Sequence, residues 1–409
     1  MLWIVGKAHS SFYEYLRQND EAFGIFLDAQ RPTKKAPQAP TRLVDFTDET
    51  TIQSSLKNFT QPVEAIVWTY ENYVWPAAQL SRYFSVPGIT PDAALSSTDK
   101  VLMRQKFLAY DPSITPEFKQ VDNWQDILDF MQAHSFPVIL KPANLVKSLL
   151  VSKSDSIEQL QANFQHAKSS VKQLYSKFHV PREPKLLIEE CLVGSLHTVA
   201  GFADSQGRPQ LIPKIVDLVT AQDIGRNDNY LFTRSLPSRL KASDQKAILT
   251  VAAKGGKALG LTSTPLHIEL FLTPSGPKII EIGARIGGYR THMYEVAHGI
   301  NLEQAMIDTA YNRKLNLAAT HQNNCSVIEL FPESEGVFQQ ISNLAALQQL
   351  PSFNYIKVRV KPGRLVGPAS SGYKAAAIAM LIHTDPRQLQ KDLTFVQTHA
   401  KVLTGARPA

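Results

Sequence analysis

The sequence reads as an α/β protein of two or three packed domains, with an open α/β sheet first and mixed α+β lobes after it. Three observations support this. The 409 residues exceed what one ordinary core accommodates. Residues 1–96 alternate short apolar runs with helical stretches, the pattern of βαβ units. Beyond them, strand-like runs flank long helical stretches without that regular alternation.

In the first segment, LWIVG, FGIFLD and AIVWTY read as strands, and SFYEYLRQ and WPAAQLSRYF as helices. RPTKKAPQAP interrupts them as an exposed loop. The first strand runs into Gly6-Lys7-Ala8-His9 with no G-x-G-x-x-G, so nothing supports a dinucleotide site. The second segment, 97–329, opens with STDKVLMRQKF, a helix start with Ser97, Thr98 and Asp99 as candidate caps. Strands FPVILKP and KLLIEECLVG flank a helical stretch over 156–178. A helix over 243–259 stops at Gly260. PLHIELFL and KIIEIGAR follow, joined by the turn sequence TPSGP. Between these, 222–238 reads as a long polar loop in which Arg226 and Arg234 either grip a substrate carboxylate or are simply solvated. The third segment, 330–409, carries strands YIKVRV and AAAIAMLIH and a last helix near 387–400.

Composition narrows the function. Hydrophobic residues make up 44% and charged residues 19%, which is globular rather than disordered. The formal charge of +7 is scattered, with no basic block longer than Lys34-Lys35, so it implies steering of small anions rather than nucleic-acid binding. Cys191 and Cys325 stand far apart without companions at metal-ligand spacing, which argues against a disulfide framework or zinc site and suits the cytoplasm. Cys191 has no basic neighbour and reads as a small buried residue, not a thiol nucleophile. No leader pattern and no stretch of roughly 18 to 20 apolar residues is expected to engage a membrane.

The TPSGP hairpin carries the most chemistry. With Ser275 at its centre, Glu269 and Glu281 lie opposite one another, their Cβ atoms roughly 4.5–5.5 Å apart. Two such carboxylates among isoleucine and leucine repel unless a cation or proton lies between them, and magnesium takes carboxylate and phosphate oxygens together. The other reading has one glutamate facing water in a different register. GARIGG, 283–288, follows, where glycines permit close backbone approach and Arg285 offers a planar fork, or else form a turn with a surface arginine. Lys141 ends an apolar strand, either against an anion such as phosphate or emerging into solvent.

These pieces in this order resemble the ATP-grasp superfamily over nearly the whole chain: DK-x-x-M-R at Lys100, FPVILKP with Lys141, IEECLVG at 188–194, and ALGL-x-x-x-x-x-H-I-E leading into EIGARIGG. Within it the chain looks like the L-amino-acid ligase branch. The resemblance implies an ATP-grasp fold with an N-terminal pre-ATP-grasp domain over 1–96, an ATP-grasp domain over 97–329 with a lid at about 136–192, and a C-terminal α+β domain over 330–409. It implies ATP and magnesium as cofactors, one ion or two, with manganese as a substitute. Lys100 and Lys141 would meet the phosphates, with Ser148 as the hydroxyl donor beyond them. Glu189, Glu190 and Leu192 would meet the adenine, and His197 stands near where a ribose-binding glutamate is common. Glu269 and Glu281 would hold the metal, Arg285 would face the transferred phosphoryl group, and Arg290 would anchor a substrate carboxylate. Glu71 sits where this branch often has a glutamate near the cleft. Three departures stand out: the glycine-poor ANLVKSLLVSK after Lys141, His197 itself, and Gly283 where many members carry a metal-binding asparagine. The implied activity is joining a carboxylate to an amine on small molecules, through an acyl phosphate, with release of ADP and phosphate. Amino acids are the expected substrates. A different carboxylate from secondary metabolism, and nucleotide binding without catalysis, stay open, as does homodimer formation.

Overall fold

The computed structural model describes residues 1–31, 38–145, 149–178, 183–228 and 230–406. Its first layer is a parallel sheet in which β1 (Leu2–Val5) pairs with β2 (Phe23–Asp28) on one side, and β3 (Thr41–Val44) extends that side. On the other side β1 pairs with β4 (Ala65–Val67). Leu2 to Val5 are wholly buried, because both sheet faces are covered. Helices α1 (Ser10–Gln18), α2 (Glu49–Ser55) and α3 (Val74–Tyr83) supply the crossovers and cover, and α4 (Pro91–Thr98) leads into α5 (Lys100–Tyr110).

A second, antiparallel sheet takes the order β5–β8–β6–β7, where β5 is Phe118–Val121, β6 is Val138–Pro142, β7 is Ser152–Ser154 and β8 is Leu186–Glu190. Helices α6 (Trp124–Met131) and α7 (Ile157–Phe178) accompany it, with Ile127, Phe130, Leu160 and Phe164 packed into its core. The expected helix over 156–178 is found almost residue for residue.

The third sheet is the largest. It contains β9 (Ser195–Ala203), β10 (Pro209–Leu211), β11 (Val216–Thr220), β12 (Leu231–Leu236), β13 (Thr264–Thr273) and β14 (Gly276–Gly283). Helix α8 (Ala242–Ala258) covers one face of β13 and β14, and α9 (Arg290–His298) and α10 (Leu302–Ala310) follow. The sheet then continues through β15 (Asn324–Leu330) into the C-terminal third. There β16 (Gly336–Ile341), α11 (Leu344–Gln348), β17 (Phe353–Val358), β18 (Leu365–Val366), β19 (Ala377–His383), α12 (Pro386–His399) and β20 (Val402–Gly405) complete the chain. Its order is β14–β13–β9–β11–β12–β15–β19–β17, so β15 runs across the boundary expected after residue 329. The third segment is therefore joined to the second through a shared sheet.

Two local readings change. The stretch expected to be a loop over 222–238 includes β12, which pairs with β11 and β15, so Arg234 is a sheet residue. The hairpin turn is tighter than a centre at Ser275 implies, because Thr273 pairs with Gly276. Continued regularly, that register would oppose Glu269 to Ile280 and turn Glu281 toward the face packed by α8. A β-bulge after Leu270↔Ile279 skips Ile280 and restores Glu269↔Glu281. Ile279 and Ile282 stay buried in the core while Glu281 comes to face the cleft.

Candidate active site

The two glutamates stand side by side on the β13–β14 hairpin. Each already has a cationic or hydrogen-bonding neighbour. Lys100, on the first turn of α5, reaches Glu281 Oε1 at 3.2 Å and donates to the Leu145 carbonyl at 3.3 Å. Asp99 caps that helix by accepting from the Val101 and Leu102 amides, which fixes where Lys100 starts. On the other glutamate, His267 Nε2 lies 3.1 Å from Glu269 Oε1. Burial alone would raise the Glu269 pKa, but the His267 hydrogen bond and the charges of His267, Arg290 and Arg285 hold it at about 2. The carboxylate repulsion that the sequence raised is thus relieved by the protein's own side chains. Burial in turn pulls His267 below its ordinary value against the opposing effect of Glu269, and its Nδ1 has no partner.

GARIGG is no free turn. Trp68 donates its indole N–H to the Ala284 carbonyl at 2.8 Å, pinning the loop to the N-terminal sheet. Arg285 Nε donates to Glu71 Oε2 at 2.6 Å, and Glu71, Glu281 and Glu269 raise the arginine's pKa against the effect of burial. A Cβ placed on Gly283 would stand 3.4 Å from that same Glu71 oxygen, so the Glu71–Arg285 pair occupies the space beside the glycine. At Gly287 a Cβ would fall 2.4 Å from the His267 ring. Tyr289 adopts φ 63°, which is rare for a bulky residue. It donates to Glu329 Oε1 at 2.7 Å, and Arg234 binds the other carboxylate oxygen at 3.0 Å.

Arg290 is 2% exposed and donates to Thr198 Oγ1 at 2.8 Å through Nη2. Thr198 pairs directly with Glu269 across β9 and β13, so this arginine lies on the cleft face. No ion pair ties it to a carboxylate among the described residues. Burial and the charge of Arg234 pull its pKa down to about 10.

The second sheet supplies the opposite wall. Lys141 is 5% exposed, and Nζ pairs with Glu189 Oε2 at 2.5 Å. Burial lowers its pKa to about 8 even though Glu189 acts to raise it. The Glu189 carboxylate is thereby committed to cations, leaving only its backbone for the adenine contact expected of it. Glu190 Oε1 accepts from Lys278 Nζ at 2.5 Å, fastening β8 to the hairpin strand, and from the Glu117 amide at 3.0 Å. Leu192 lies half-buried in the connection between β8 and β9. Ser148 lies outside the described residues.

His197 lies on the other face of the sheet from the glutamate pair. It pairs with Asp217 across β9 and β11, whereas the neighbouring Thr198 pairs with Glu269. Successive strand residues point to opposite faces, so His197 is turned away from Glu269 and Glu281. Its ring is held by Asp217 Oδ1 at 2.8 Å and Ser195 Oγ at 2.6 Å. Leu196 occupies the cleft face instead. Two other members of the site had no role in the sequence reading, Arg104 and His267. Arg104 stands four residues after Lys100, a spacing that puts both on one face of α5 and was the available signal.

Among the described residues no group of three or more histidine, cysteine, aspartate or glutamate side chains is placed to hold a metal ion. The pair Glu269 and Glu281 offers hard carboxylate oxygens, as magnesium requires, and fits an ion that completes its shell with phosphate oxygens. No helix among the described residues is long and apolar enough to cross a membrane.

Comparison with known proteins supports the resemblance. The ATP-grasp domain family matches residues 134–293. Alanine–anticapsin ligase of Bacillus subtilis is 25% identical over 288 residues, which is 66% of this chain and 60% of that protein. An L-arginine-specific L-amino acid ligase of Bacillus subtilis is 22% identical over 335 residues, 80% of this chain and 77% of that one. The crystal structure of an L-amino acid ligase from Bacillus licheniformis superimposes with a TM-score of 0.80 at 17% identity, over 99% of this chain and 98% of the other, a likeness of fold. The matches to three curated relatives span between 48% and 60% of those proteins' lengths.

Proposed function

The chain carries an ATP-grasp domain, and from that premise we propose that it is an ADP-forming carboxylate–amine ligase acting on amino acids. The observation that carries the reading is the cluster around Glu269 and Glu281, in which Lys100 pairs with Glu281, Arg285 is held by Glu71 and Arg290 by Thr198 opposite Glu269, with Lys141 on the facing wall. Such a cluster suits a polyphosphate and a substrate carboxylate together.

In the proposed reaction the substrate carboxylate attacks the γ-phosphorus of ATP in line, and ADP leaves. The acyl phosphate that results is attacked at its acyl carbon by an amine, which forms the amide and expels phosphate. Glu269 and Glu281 are the residues that would hold magnesium, which when bound supplies charge neutralisation at the phosphate oxygens. Lys100 and Lys141 orient the phosphates, and Arg285 stabilises negative charge as it redistributes over the transferred group. The Glu71–Arg285 pair keeps that guanidinium aimed into the cleft. Arg290, already buried and free of a carboxylate partner among the described residues, anchors the substrate carboxylate. Its ordered guanidinium loses little freedom on binding. No side-chain nucleophile is needed. Cys325 is wholly buried and its pKa is raised to about 12 by burial, which removes it from consideration. The two unpaired cysteines and the demand for ATP lead us to place the reaction in the cytoplasm.

Phosphate release across pairs of amino acids with magnesium-ATP, followed by product mass, tests the proposal. We expect ADP, phosphate and a dipeptide mass in equal amounts for at least one pair, and a loss of at least about a hundredfold in Glu281→Gln. ATP binding without turnover on any pair would favour the nucleotide-binding alternative. A product lacking an amino-acid acyl group would reassign the carboxylate.

A further inference from the structure

Arg104 is fully buried, one helical turn beyond Lys100 on α5. Burying a guanidinium is costly unless its donors are met. Nε donates to Glu189 Oε1 at 2.7 Å, and Nη2 donates to the Ile280 carbonyl at 2.7 Å, while Nη1 has no partner. Each acceptor belongs to a different half of the cleft. Glu189 uses its second oxygen to hold Lys141, the expected phosphate lysine. Ile280 is the residue skipped by the bulge, and a bulge leaves ladder groups unpaired that must find another partner. Without that bulge Glu281 would face the core.

We propose that Arg104 is a positioning residue that couples nucleotide and metal binding, by pinning the Ile280 bulge that aims Glu281 and the Glu189 carboxylate that holds Lys141. The inference rests on the ligase reading above and adds to it a part that touches neither substrate nor metal. Two acceptors separated across the cleft call for the planar fork of arginine, and a lysine ammonium, a compact point charge, cannot serve both in the same geometry.

The test measures Mn2+ binding in the presence of ADP by electron paramagnetic resonance, and ADP binding without metal by calorimetry. In Arg104→Lys we expect an unchanged circular dichroism spectrum, a loss of tenfold or more in Mn2+ affinity, and weaker metal-free ADP binding. A purely structural arginine would lower the melting temperature and leave the affinities of the folded protein intact, which would overturn the proposal. Glu189→Gln provides the second arm, since it keeps the side-chain shape and removes the charge shared by Arg104 and Lys141. It is expected to weaken both affinities, and unaltered values there would overturn the coupling even if Arg104→Lys failed to fold. Failure of the unaltered chain to bind Mn2+ and ADP at all would instead bring down the ligase reading and this inference with it.

Discussion

Lys141 is poised to lose its charge within an accessible pH range. Burial holds its pKa at about 8 against the pull of Glu189, so a phosphate partner is lost as pH rises through that value. ADP affinity should weaken above about pH 8, approaching a tenfold loss per pH unit at the steepest, and Lys141→Gln should bind more weakly with a flat profile when both are titrated by calorimetry. Gly287 makes a different demand. The His267 ring fills the space a side chain would need, so Gly287→Ala should cost about 2 kcal/mol of stability by urea unfolding. Such details separate what the sequence showed from what it hid. The paired glutamates and Lys141 were legible because each is a charge in an apolar run, which needs a reason locally. The face His197 takes was not legible, because position along a strand does not give its side and one residue of shift inverts it. Arg104 was hidden because its partners lie 85 and 176 residues away.

Among the elements, the start of α5 sets the reach of both Lys100 and Arg104. Asp99 caps that start and also pairs with Lys185 at 3.2 Å. Asp99→Ala should therefore lower stability by about 1–2 kcal/mol in urea unfolding, and Asp99→Asn, which keeps the capping oxygen, by less. Helices such as α7 and α12 were readable from apolar periodicity and their end signals. The bulge in β14 was not, since nothing in GPKIIEIG distinguishes the residue to be skipped. Its site is fixed by the tight Thr273↔Gly276 turn at one end, the buried Ile279 and Ile282 beside it, and the Arg104 hydrogen bond from another element. The strand within 222–238 was missed for a related reason: its polar residues find partners in the sheet, Arg234 with Glu329 and Ser235 with Ser326.

At the scale of the whole molecule, one sheet carries the glutamate hairpin at one edge and runs through β15 into the C-terminal third. The N-terminal sheet docks against the same body through Trp68 and through α1 and α10, where Ser11 meets Glu303 at 3.4 Å. Glu303 is 9% exposed, and burial raises its pKa to about 7, with Glu295 and Glu14 adding to the rise. A carboxyl bound more tightly to its proton when folded stabilises the native state below its unfolded pKa of about 4.5 and loses that contribution as pH climbs to about 7. Glu303→Gln should flatten this decline and raise stability at pH 8 by about 2 kcal/mol, measured as urea midpoints across pH. The overall α/β plan was legible from alternation in the first segment and from the order of the motifs. The continuity of the large sheet was not, because strand order depends on contacts that no local pattern encodes.

The most direct test of the ligase reading follows the oxygen atoms of the substrate acid. With a carboxylate labelled with oxygen-18 and magnesium-ATP, activation through an acyl phosphate must transfer one labelled oxygen to the inorganic phosphate released, detected by mass spectrometry. The same sample should contain ADP and an amide that retains the other label. Label appearing in AMP, or phosphate released without label while amide accumulates, would contradict the account.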